Sequence, residues 1–131
     1  MLSIKSPPSS QAQAAVLLVE DEPVIRLLLA EALRNEGLRV IEASNADDAW
    51  TYLQAGGDAD LVFSDITMPG SINGLELMRR IATAYPELKR IITSANPGRE
   101  NVSALGLFLA KPYRLETAAK ATLDLLGREA K

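Results

Sequence analysis

The 131-residue chain contains no cysteine and no histidine. Without cysteine there is no disulfide, no thiolate metal site and no thiol nucleophile. Without histidine there is no Ser-His-Asp triad, no imidazole metal ligand and no phosphohistidine on this chain. Aromatic residues are scarce at 5%, and no charge sign dominates: 14 Lys+Arg face 17 Asp+Glu, a net charge of −3. That balance asks for neither a nucleic-acid backbone nor an anionic membrane as partner. The longest apolar run, Ala14 to Val19, is far short of the roughly 18 residues of a membrane span. Met1 to Gln13 lacks the apolar core of a secretory signal and is rich in Pro, Ser and Gln. It reads as a flexible N-terminal tail (1–13) ahead of one folded domain (14–131).

What is present is a repeated alternation. Ala15 to Val19 is a short β-branched apolar run ended by Glu20-Asp21, the pattern of a strand buried on both faces. Pro23 stands where a helix tolerates proline, and Val24 to Glu36 carries an apolar stripe stopped by Gly37. Leu38 to Ala43 reads as a second strand. Ser44 or Asn45 can cap a helix running through Trp50 and Leu53 to Gly56-Gly57. Leu61 to Ser64 is a third strand ended by Asp65, and Leu75 to Tyr85 a third helix stopped at Pro86. Arg90 to Thr93, ended by Ser94, and Leu107 to Ala110, ended by Lys111-Pro112, complete five strands. Arg114 to Arg128 is the last helix. Strands alternating with helices imply an α/β fold: a parallel sheet with right-handed crossovers and helices on both faces.

In such sheets ligands bind outside the carboxyl ends of the strands. Three carboxylates (Glu20, Asp21, Asp65), the hydroxyl of Ser94 and the ammonium of Lys111 fall on that edge. If the first and third strands are neighbours, at a spacing of about 4.8 Å, Asp21 and Asp65 approach within about 5 Å. At an effective dielectric near 20 such a pair costs about 3 kcal/mol. The edge therefore calls for a cation or an elevated pKa, and for a cation an all-oxygen donor set favours Mg²⁺. A carboxylate nucleophile, Mg²⁺, a hydroxyl and a lysine suit phosphoryl transfer onto the carboxylate. Singly, each residue has a plainer reading as a turn former, a solvated charge or a strand-end polar group. Their coincidence at four of five strand ends is what points to chemistry.

The motifs Val16-Leu17-Leu18-Val19-Glu20-Asp21-Glu22, Asp65-Ile66-Thr67-Met68-Pro69 with Gly74, Thr93-Ser94-Ala95 and Lys111-Pro112-Tyr113 resemble, in order and spacing, those of a bacterial two-component response-regulator receiver domain (CheY-like). The resemblance spans roughly Val16 to Leu126. It implies a flavodoxin-like (βα)5 three-layer sandwich with sheet order 2-1-3-4-5. It implies that Asp65 accepts a phosphoryl group and that Mg²⁺ is held by Glu20, Asp21, Asp65 and the backbone carbonyl of Thr67. Ser94 and Lys111 are then expected to pair with the phosphoryl group, and Pro112 to follow a cis peptide bond. Ser94 and Phe108 would form the switch; the plainer reading of Phe108 is core packing. The implied phosphodonor is a sensor histidine kinase or a histidine phosphotransfer protein in a two-component system or phosphorelay. The chain would then be a cytoplasmic phosphoacceptor rather than an enzyme in its own right. No output domain is legible, so the signal is expected to leave by contact with an unidentified protein target or by onward phosphotransfer.

Three features depart from the commonest family pattern. Glu20 stands in place of the usual first aspartate. The loop from Pro69 to Gly74 is one residue longer. Only 16 residues separate Ser94 from Lys111, and they include Asn96-Pro97-Gly98 and Gly106. A fourth helix there is expected to be short, irregular or missing, which leaves the dimerisation mode and oligomeric state open. Two other classes compete. An aspartyl-phosphate phosphohydrolase generally carries an acid two residues after its nucleophile, and here that position is Thr67. A receiver-like module that works without phosphorylation does not need the acidic site.

Overall fold

A computed structural model of the chain describes residues 13–66, 73–95 and 102–129. Nine elements follow one another: β1 (Ala15–Val19), α1 (Pro23–Asn35), β2 (Arg39–Ala43), α2 (Ala46–Gln54), β3 (Leu61–Asp65), α3 (Gly74–Ala84), β4 (Lys89–Ser94), β5 (Leu107–Ala110) and α4 (Leu115–Leu126). The five strands pair in parallel in the order β2-β1-β3-β4-β5. This is the doubly wound, flavodoxin-like order. β1 and β3 are buried at every position, which is why Ala15–Val19 and Leu61–Phe63 read as apolar runs rather than alternating ones.

The sheet separates two cores. On one face Val16, Leu18, Phe63 and Ile91 pack against Leu29, Ala30 and Leu33 of α1 and Ala118, Ala119 and Leu123 of α4. On the other, Leu17, Val19, Val62 and Ile92 meet Ala49 and Leu53 of α2 and Leu77, Met78 and Ile81 of α3. Consecutive strand residues alternate between the two cores, as the pleat requires.

Local signals set most of the boundaries. Pro23 opens α1, and Gly37 at φ 86° ends the turn after it. Asn45 caps α2, its side chain accepting from Asp48 N at 2.7 Å, and Asn73 caps α3, accepting from Glu76 N at 2.9 Å. The last helix stops at Leu126 instead of reaching Arg128. Gly127 adopts the left-handed conformation at φ 70°, and its N–H and that of Arg128 turn back to Asp124 O and Leu123 O.

Among the described residues no helix lies between β4 and β5. Val102 and Leu105 pack on the α2/α3 core in that stretch. Arg90 of β4 donates from Nε to Leu105 O and from Nη1 to Leu88 O, clasping the incoming chain. Gly106 lies so close that a Cβ there would meet Arg90 O at 2.7 Å. The tail (1–12), Thr67 and the loop through Ile72, and Asn96-Pro97-Gly98 fall outside the described residues.

Candidate functional site at the carboxyl edge of the sheet

The site is assembled by four adjacent strands. Glu20 still belongs to the ladder at the end of β1, where its N–H donates to Ala43 O at 3.1 Å. Its side chain is buried, and one carboxylate oxygen accepts from Glu22 N at 3.1 Å. Asp21, next along the turn, is reached by solvent. Asp65 is the last residue of β3, opposite Thr93, and is 7% exposed. Ile66 N donates to Thr93 O at 3.0 Å, so the pairing holds one residue beyond Asp65. Carboxylate oxygens of Glu20, Asp21 and Asp65 all lie within 4.8 Å of one another. Parallel pairing of β1 with β3 is what converts three acids at two distant points in the chain into one cluster.

Lys111 reaches in from the end of β5. Its N–H donates to Ser94 O at 3.0 Å, and its Nζ donates to Asp65 Oδ2 at 2.9 Å and Glu20 Oε1 at 3.2 Å. The Lys111–Pro112 peptide bond is cis. Burial pushes the Glu20 carboxyl above its ordinary range, against the pull of Glu22 N–H and Lys111. Burial also opposes the charge on Lys111, but the hydrogen bond and charge of Asp65 and the nearness of Glu20 outweigh it and hold the ammonium above its usual value. Tyr113 is pushed up to about 12, first by burial and then by the charge of Glu20.

One lysine among three carboxylates leaves an excess of negative charge in a partly dry cleft. All the free donors are oxygens, a hard set without nitrogen or sulfur, which fits Mg²⁺ better than a softer transition metal.

The remaining sequence-predicted residues are placed as follows. Ser94 is the final, buried residue of β4, opposite Ala110. Phe108 pairs with Ile92 and is half-buried against the α2/α3 core, on the same sheet face as Ser94. Thr67 lies outside the described residues.

Sequence reading passed over two contributors. A Cβ on Gly74 would meet Asp65 O at 1.8 Å and Ile66 Cα at 2.6 Å, so the start of α3 presses directly on the backbone of Asp65. Arg26 donates from Nη1 to Glu20 O at 2.7 Å. Gly74 belonged to a recognised motif, but its reason is a tertiary approach that spacing does not reveal. Arg26 carries no signal that separates it from any other helical arginine.

Comparison with known proteins gives the family and agrees with the fold. Residues 16–121 match the response regulator receiver domain family, and the chain belongs to it. It is 33% identical over 115 residues to the response regulator GtcR of Aneurinibacillus migulanus, covering 84% of this chain and 47% of that protein. It is 33% identical over 124 residues to the sensor kinase CckA of Brucella abortus, covering 88% of this chain and 13% of the kinase. The chain thus spans half or less of these relatives. Among solved structures, the response regulator TrrA of Thermotoga maritima, in complex with Mg²⁺ and BeF, is 31% identical with a TM-score of 0.78, over 86% of this chain and 99% of that one. Residues 16–121 form a receiver domain of two-component signalling. Among the described residues, no helix is long and apolar enough to cross a membrane.

Proposed function

We propose that Asp65 is the phosphoacceptor of this receiver, and that a phosphohistidine on a sensor kinase or a histidine phosphotransfer protein is its donor. The observation that carries this reading is the bridge of Lys111 Nζ between Asp65 and Glu20 within a cluster of three carboxylates. In the transfer an Asp65 carboxylate oxygen attacks phosphorus, the P–N bond of the donor breaks, and the imidazole leaves and takes up a proton. The 131 residues hold no histidine, so the imidazole lies outside them.

Glu20, Asp21 and Asp65 would hold Mg²⁺, with the Thr67 carbonyl as a further ligand. The ion, when bound, neutralises the oxygens of the transferring group. Lys111 orients Asp65 beforehand and pairs with the new phosphoryl group. Ser94 donates a hydrogen bond to it. Phosphorylation adds about −1.5 to −2 charge at Asp65. The pull on Ser94 at the end of β4 is passed to Phe108 on the same face, which alters the surface beside β5. Among the described residues no helix lies between β4 and β5, and this favours coupling through the strand pair itself.

A seat for the donor adjoins the site. Val24, Leu27 and Leu28 are exposed along α1. Beside them a groove of about 570 Å³, lined by Ile25, Leu28, Pro112, Tyr113 and Leu115, opens next to Lys111. A protein donor seated there would bring its phosphohistidine over Asp65. The reading assigns the chain to the cytoplasm and makes it a phosphoacceptor rather than an independent enzyme.

The test is exposure to phosphoramidate, a small P–N donor, with and without Mg²⁺, followed by ³¹P NMR. An acyl-phosphate resonance that needs Mg²⁺ and is lost on adding hydroxylamine is expected. Absence of that resonance, together with no Mg²⁺ binding by calorimetry, would favour a receiver that acts without phosphorylation.

A further inference from the structure

Glu20 and Asp21 sit in the short turn between β1 and α1; Glu22 N–H and Lys111 Nζ hold the Glu20 carboxylate, and its backbone is held separately. Glu22, the N-cap residue of α1, makes no side-chain capping bond, and Pro23 contributes no N–H. The Glu20 N–H is held by Ala43 O of β2. Its carbonyl is held by Arg26 Nη1 at 2.7 Å. The same guanidinium lies with Nε 3.4 Å from Glu42 Oε1 of β2, and its side chain is only 21% exposed. Arg34, two turns further along α1, takes the other Glu42 oxygen at 3.1 Å and donates to Val40 O at 2.9 Å. One arginine therefore joins the metal-site turn, α1 and β2. The Arg26–Glu42–Arg34 chain fixes it from behind.

We propose that Arg26 is a positioning residue for the acidic cluster: by gripping the Glu20 carbonyl while braced on Glu42, it sets where the Glu20 and Asp21 carboxylates stand and so tunes Mg²⁺ affinity. The inference rests on the reading of the cluster as an Mg²⁺ site. Arg26 acts on the Glu20 backbone, not on the carboxylate oxygens that would hold the ion. Charge alone predicts the opposite sign, since deleting a nearby cation strengthens binding of a second cation. Arginine is suited to the task because its planar fork can serve a carbonyl and a carboxylate at once, whereas a lysine ammonium is a point charge.

The experiment measures Mg²⁺ dissociation constants by calorimetry for wild type, Arg26→Ala, Arg26→Lys, Glu42→Gln and the Arg26→Ala/Glu42→Gln pair, at a temperature where circular dichroism shows all are folded. Arg26→Ala is expected to weaken Mg²⁺ binding about tenfold, at the low end of losses seen when groups behind metal ligands are removed. Arg26→Lys keeps the charge but not the fork and is expected to fall between. Glu42→Gln is expected to weaken binding by less than Arg26→Ala, and the double variant to match Arg26→Ala instead of multiplying the losses. Phosphorylation by phosphoramidate is expected to need more Mg²⁺ for half its maximal rate in Arg26→Ala, with the rate at saturating Mg²⁺ close to wild type. Mg²⁺ affinity in Arg26→Ala equal to or tighter than wild type would overturn the proposal. So would an affinity loss in Arg26→Ala that multiplies with that of Glu42→Gln. A wild-type protein that binds no Mg²⁺ would overturn the reading of the cluster itself, before any variant is compared.

Discussion

Replacing Lys111 with methionine removes a cation that touches both buried acids and keeps most of the aliphatic stem. Its Nζ is 2.9 Å from Asp65 Oδ2 and 3.2 Å from Glu20 Oε1. At an effective dielectric near 20, each contact is worth roughly 5 kcal/mol before desolvation is counted. Breaking a buried pair while leaving its carboxylates in place costs about 3–5 kcal/mol. The lysine side chain is 16% exposed, so water and proton uptake by the acids recover part of that. The expected net loss is about 2–3 kcal/mol in chelator at neutral pH, and at about 4 °C per kcal/mol for a chain of this size Tm falls by about 8–12 °C. The cation lost is one that Mg²⁺ can replace. Millimolar Mg²⁺ should therefore raise the Tm of Lys111→Met more than that of wild type and close most of the gap. Thermal unfolding by circular dichroism, in EDTA and in Mg²⁺, measures both. Equal Tm values in EDTA, or a gap that Mg²⁺ leaves untouched, would refute the electrostatic account of the cluster.

Three further outcomes follow from the same geometry. Gly74→Ala sets a Cβ 1.8 Å from Asp65 O, and backbone cannot rotate away; a loss of about 1–3 kcal/mol is expected despite alanine's better helix propensity, together with slower phosphorylation, and an unchanged urea midpoint and rate would count against the contact. Because burial raises the Glu20 pKa, its carboxylate takes up a proton at a higher pH than an ordinary glutamate, so calorimetric Mg²⁺ affinity should begin to fall on acidification while still above the ordinary glutamate range; an affinity flat down to pH 4.5 would contradict it. Tyr113, raised to about 12, keeps its proton in the folded state where the unfolded chain, with an ordinary value near 10, has lost it. Its contribution to stability is therefore whole below about pH 10 and is lost as pH rises towards 12. Difference absorbance at 295 nm should show one late-titrating phenol that Tyr113→Phe removes.

The sheet and the acidic edge were legible in the sequence because both depend on local pattern. Ala15 to Val19 and Leu61 to Asp65 are short, wholly buried runs, apolar except for Ser64 and Asp65 at the end of the second, and such strands alternating with amphipathic helices leave little choice of architecture. The site residues sit at the ends of those runs, so finding the strands found the edge. The sheet order and the pairing of Asp65 with the acids of β1 came from resemblance, because strand order leaves no local trace. The short β4–β5 connection was visible because only 16 residues, β5 included, separate Ser94 from Lys111, and they hold Asn96-Pro97-Gly98. The Arg90 clasp that holds its end was not, since it depends on Leu105 returning to lie beside β4. The end of α4 was read two residues too far along because Arg128 continues a helical composition, whereas the N–H groups of Gly127 and Arg128 fold back on Asp124 and Leu123. Arg26 and Gly74 act through contacts with main-chain carbonyls, and a carbonyl has no letter in the sequence.

The most direct test of the account is the intact mass of the protein after incubation with acetyl phosphate and Mg²⁺, beside Asp65→Asn. The account predicts a gain of about 80 Da, one HPO₃ unit on an aspartyl side chain, in wild type with Mg²⁺ and no gain in chelator or in the variant. A gain of the same size in Asp65→Asn would contradict the assignment of Asp65 as the phosphoacceptor.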